Sequence, residues 1–107
     1  MPVVQRQSLR KKPELWIDAH TRLSGGQVEE IVKAHRKHIA VGGDDNPIAF
    51  QHELIVLLVE AWNLPDSDKP EEVLPKSLEG CKRAFQDDLI DVWKFVRPLT
   101  ETAFPND

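Results

Sequence analysis

From Ile48 to Trp62 the chain is apolar on nearly every side. Past the first turn, Phe50, Leu54, Ile55, Val56, Leu57, Leu58, Val59, Ala61 and Trp62 leave little room for a polar face. Asn46 as N-cap and Pro47 at the first helical position mark where such a helix starts. A helix apolar on most sides is either the buried middle of a fold or one that meets an extra partner. A chain of 107 residues has one hydrophobic core, and enclosing so greasy a helix within it is hard. An apolar face open to self-association or to another chain is the expected consequence.

The flanking segments read as helices with one strand before them. Leu15, Ile17 and Ala19 alternate with Trp16, Asp18, His20 and Arg22, the period of two of a half-buried strand. A lone strand is unstable, so it is expected to pair with residues 3–9 as a hairpin around Arg10–Pro13, or with another chain. Residues 1–13 are otherwise a basic arm or an edge strand. Ser24-Gly25-Gly26-Gln27 has the form of a capping box, with Leu23 and Val28 as its hydrophobic staple. The helix that follows carries Val28, Ile31, Val32, His35 and Ile39 on one stripe and Glu29, Glu30, Lys33, Arg36 and Lys37 outside it, with acidic residues expected in the first turn and basic ones in the last. Gly42-Gly43 ends it. Asn63–Pro75 holds three prolines and reads as a loop, with at most one helical turn at 70–73. Ser77 caps a short helix through Ala84 that Gly80 weakens. Phe85, Leu89, Val92, Trp93 and Val96 form a last stripe, which Pro98 is expected to stop, leaving a frayed polar tail from Thr100.

The expected fold is therefore mainly α: three main helices (about 25–41, 47–62 and 85–97), a short one near 77–84, and a minor N-terminal strand or hairpin. Residues 1–13 form the arm, 14–97 a single small helical domain and 98–107 the tail.

No constellation of catalytic residues stands out. His35-x-x-His38 with His52-Glu53 nearby has a generic spacing, and zinc needs three or four converging ligands. The pattern reads as one packed and one exposed histidine, with no metal and no cofactor. Asp44/Asp45, Glu71/Glu72 and Asp87/Asp88 are sequence neighbours that diverge on a helix rather than converge for acid–base work. Cys81 beside Lys82 and Arg83 is a lone thiol, read as a small buried or half-buried side chain. There is no phosphate-binding loop and no nucleophile elbow. The expectation is a protein that is not an enzyme.

The net charge of −4 divides into +4 over residues 1–43 and −8 over residues 44–107. A split of this kind belongs to a partner face or to ordinary solvated surfaces. Lys33, Arg36 and Lys37 with Arg6, Arg10, Lys11 and Lys12 form a local basic cluster, but an acidic chain of pI about 5.5 is a poor DNA binder. The longest apolar run, Leu54 to Val59, is far short of a membrane span. A single cysteine suits a reducing compartment.

The order of these features resembles a family. Trp16-x-Asp18, then Thr21-Arg22-Leu23-Ser24-Gly25-Gly26 and an amphipathic helix, lead to the greasy helix ending in Ala61-Trp62-Asn63-Leu64-Pro65-Asp66 and a restart at Leu74-Pro75-Lys76-Ser77-Leu78-Glu79. Over residues 14–97 the chain is similar to the small tail assembly chaperones of long non-contractile-tailed bacteriophages. It departs from them between Asp66 and Leu74, where a Gly-containing, Asp-rich turn is replaced by Ser-Asp-Lys-Pro-Glu-Glu-Val. The resemblance implies a non-catalytic protein of the host bacterial cytoplasm that keeps the tape measure protein soluble, helps recruit the tail tube protein and is absent from the mature virion. Homo-oligomers are expected. The anchors expected for a partner are Trp16, Phe50, Leu54, Leu57, Leu58 and Trp62. Two other readings remain: a structural virion subunit such as a connector or tail-completion protein, and a small DNA-binding regulator.

Overall fold

The computed structural model describes residues 3–104. Strand β1 (Val4–Ser8) and strand β2 (Trp16–His20) form an antiparallel hairpin in which Val4 faces His20 and Ser8 faces Trp16. Helix α1 (Gly25–His38) follows, then helix α2 (Pro47–Leu58), strand β3 (Val59–Trp62), the short helix α3 (Leu78–Arg83) and helix α4 (Gln86–Glu101). The sheet order is β1-β2-β3, all antiparallel.

The third strand corrects the expected fold class. The molecule is α+β, four helices with a three-stranded sheet, and not mainly α with a minor hairpin. The predicted helix 47–62 ends at Leu58, and the chain turns into β3 with no intervening loop. Val59 has extended angles (φ −105°, ψ 123°) while its N–H still bonds to Ile55 O. Within a short apolar run, a helix and a buried strand share the same pattern, and only a pairing partner separates them. Here that partner is β2: Ile17 faces Trp62 and Ala19 faces Val59, with a bulge at Asp18/Ala19. The ammonium of Lys76 donates to Val56 O at 2.8 Å, satisfying one of the carbonyls that a helix end leaves without a partner.

One face of the sheet is the core face. Ile17, Ala19, Val59 and Trp62 are buried there with Leu54, Ile55, Leu58, Leu89, Val92 and Val96. Helix α2 touches α1, α3, α4 and β3, burying Leu54, Ile55 and Leu58 while Val56 and Leu57 stay half-buried. The Trp62 indole N–H donates to Leu74 O at 2.8 Å. That bond ties the loop after β3 to the strand.

The capping box at Ser24 and Gln27 forms in full. The first turn of α1 holds no acidic residue, because the helix starts at Gly25 and Glu29 falls in its second turn. Pro98 does not stop α4, which runs on to Glu101. An interior proline costs roughly 3 kcal/mol, yet the helix continues and the turn beyond it buries Thr100 and Ala103. Phe104 then meets His35, ring centroids 4.8 Å apart. The frayed tail expected from Thr100 is thus ordered through Phe104, and its remaining residues lie outside the described ones.

The basic turn of the hairpin meets the acidic start of α4. Lys12 Nζ lies 2.9 Å from Asp88 and 3.3 Å from Asp87, and the Lys11 N–H donates to Asp91 at 3.2 Å. Lys12 holds the Asp87 carboxyl below its ordinary value. These carboxylates are structural clamps. Between Asp66 and Leu74, Pro65 bridges Val73, and the buried Asp66 binds Arg83 and accepts from the Asp68 N–H at 2.9 Å.

Candidate partner-binding groove

On α1, Glu30, Lys33, Ala34 and Lys37 follow one another at helical spacing and form one edge of the helix. On α2, Glu53, Leu54, Val56 and Leu57 face that edge, and Leu78 of α3 closes one side. Together they line a groove of about 280 Å³. Its floor is apolar: Leu54 is fully buried, Ala34 nearly so, and Val56 and Leu57 are half-buried. Leu78 is 46% exposed. The charged groups are confined to the rim. A groove of this size lies just under the range of enclosed small-molecule sites, roughly 300–1,000 Å³, and it suits a few aliphatic side chains of another chain.

Behind the rim stands His38, only 4% exposed. Its Nδ1 donates to Asp44 at 2.9 and 3.0 Å, and its Nε2 to Glu53. Two carboxylates, one on each ring nitrogen, hold the imidazolium, so the His38 pKa is raised by the Asp44 hydrogen bond first and by Glu53 as well, against the opposing effect of burial. The sequence reading of one packed and one exposed histidine is corrected: His38 is buried, and His35, on the apolar stripe, is half-buried, edge-on to Phe50 with centroids 5.8 Å apart. A raised folded pKa contributes stability that is complete below the ordinary value of 6.5 and is lost as pH rises through the folded value. His52, whose pKa is lowered by burial and by Lys82, carries the opposite sign and costs stability below its ordinary value. Urea titrations across pH 6 to 9 are therefore expected to show stability falling above pH 6.5, and His38→Gln is expected to lose that fall while keeping the His52 contribution. A His38→Gln variant with the wild-type pH slope would contradict the assignment.

A second depression of about 320 Å³ is lined by Val3, His20, Arg22, Leu23, Ser24 and Gln27. His20 Nε2 lies 2.5 Å from Glu60, but Ser24 Oγ is committed to the Gln27 N–H as the helix cap. The residues do not compose a nucleophile with its base. Cys81 is buried, and burial pushes its thiol up to about 11, leaving it protonated and inert. Among the described residues, no group of His, Cys, Asp and Glu is arranged to hold a metal, and no helix is long and apolar enough to cross a membrane.

The six side chains expected as partner anchors are dispersed. Leu54 and Leu57 line the groove. Phe50 lies one turn earlier on α2, against His35. Leu58 and Trp62 point into the core and present no surface to a partner. Trp16 is on the outer sheet face, covered by the Arg6 guanidinium 3.6 Å from its ring centroid, and Arg6 is itself bonded to Asp18 at 2.8 and 3.0 Å. Sequence reasoning missed the α1 edge and Leu78. The signal was present in the i, i+3, i+4, i+7 spacing of Glu30, Lys33, Ala34 and Lys37, where a single alanine interrupts an otherwise charged face.

No family model, curated protein or solved structure matches the chain.

Proposed function

We propose that this protein is a non-catalytic tail assembly chaperone that receives an amphipathic helix of the tape measure protein in the α1/α2 groove. The reading rests on the resemblance over residues 14–97, and one structural observation supports it: an apolar floor at Val56 and Leu57, half-buried, with the exposed Leu78 beside it, beneath charged rims. A helix laid into an apolar groove is a recurrent mode of recognition. It masks the client's apolar stripe without any chemistry, which is what a long, aggregation-prone helical protein needs during assembly. On this reading the protein acts in the host bacterial cytoplasm and leaves before the virion is complete.

Co-expression with the tape measure protein of the same genome, followed by size-exclusion chromatography with light scattering, tests it. The client is expected to become soluble and co-elute, and the mass of the complex gives the stoichiometry. Leu57→Asp, at a half-buried position on the groove floor, is expected to abolish co-elution while the variant remains folded by circular dichroism. A client that stays insoluble while this protein runs alone as a discrete ring would replace the chaperone with a virion subunit.

A further inference from the structure

The groove rim is unequally neutralised. Four of its residues are charged: Glu30, Lys33 and Lys37 on α1, and Glu53 on α2. Glu53 is engaged from behind by the buried His38 imidazolium, which it shares with Asp44. Among the described residues Glu30 pairs with Lys33 at 3.4 Å, both side chains mostly exposed, a pairing that competes poorly with a new partner. Lys37 makes no side-chain ion pair or hydrogen bond among the described residues. It lies one turn beyond Lys33 on the same edge, at the end of a helix whose last turn is entirely basic, His35 to His38. On the α1 side of the groove mouth two lysines thus stand against one glutamate, and Lys37 is left without a side-chain partner among the described residues.

We infer that the groove selects an acidic amphipathic helix, one whose apolar stripe seats on Val56, Leu57 and Leu78 while carboxylates beside the stripe pair with Lys33 and Lys37. This rests on the groove being the binding site and adds the chemistry of its occupant. Rim charges act mainly through steering and choice of partner, so a basic helix with the same stripe is disfavoured. Nucleic acid is disfavoured too, because an apolar floor offers phosphates nothing.

The test uses the full-length protein and two designed four-turn helical peptides that share leucines at i, i+3, i+4 and i+7. One carries glutamates beside the stripe and the other lysines. Fluorescence anisotropy at low salt is expected to show the acidic peptide binding about fivefold tighter, on the order of two exposed ion pairs. The gap is expected to shrink in added salt and to reverse in the Lys33→Glu/Lys37→Glu variant, whose two changes are at exposed positions. Equal binding of both peptides, abolished by Leu57→Asp, would overturn the acidic preference and leave the groove as a binding site. Binding of neither peptide would overturn both.

Discussion

Gly80→Ala is expected to unfold α3 and lower the stability of the whole domain by about 3 kcal/mol or more, at the upper end of overpacking costs. The position lies inside a helix, where exchanging glycine for alanine ordinarily stabilises by roughly 0.5–1 kcal/mol. The packing reverses that sign. A Cβ on Gly80 would collide with Pro75 O and sit 3.3 Å from Pro75 C and Ser77 Oγ. The first obstacle is backbone, which cannot rotate away. It also belongs to the segment that delivers Ser77, whose Oγ caps α3 by accepting the Gly80 N–H at 2.9 Å. Helix α3 has six residues, too few to persist without its cap and its packing. Its displacement would move Cys81 out of the core and Leu78 off the groove. For a domain of this size the loss corresponds to a fall in Tm of roughly 12–24 °C, readable by scanning calorimetry. A Gly80→Ala protein that melts at or above the wild-type temperature would refute the close approach of α3 to Pro75.

Trp62 carries the second large effect. Its side chain is 6% exposed on the core face of β3, and its indole N–H satisfies Leu74 O. Trp62→Ala is expected to cost about 3–5 kcal/mol through the cavity it leaves. Trp62→Phe keeps an aromatic ring but removes the donor, leaving a buried carbonyl unpaired at about 1–3 kcal/mol. Two variants measured by urea unfolding separate bulk from hydrogen bond. If Trp62→Phe were as stable as wild type, the indole bond would be incidental and the loop after β3 held by packing alone. Neither substitution alters the groove floor, so binding by variants that stay folded is expected to persist. That separates Trp62 from Leu57 although both were expected to be partner anchors.

Much of the local structure was legible because short-range chemistry sets it. Ser24 with Gln27, Asn46 with Pro47, and Ser77 each begin a helix where the side chain can reach an amide three residues on. The alternation of residues 15–19 specifies a strand because period two admits one buried face. The site was legible only in part. Leu54 and Leu57 belong to a run whose unusual apolarity announced them, whereas the α1 edge carrying Lys33 and Lys37 meets Leu78 only when three helices converge.

What the sequence determined by itself was where elements start and which stripes are apolar, since capping and periodicity involve residues within a few positions of one another. What the tertiary structure decided was everything that depends on a distant partner. Val59–Trp62 is a strand because β2 offers it hydrogen bonds. His38 is buried because Asp44 and Glu53 supply two carboxylates. Helix α4 passes Pro98, and the turn beyond it packs Thr100 and Ala103 into the core. In each case local preference was within a few kcal/mol of its alternative, and packing chose between them.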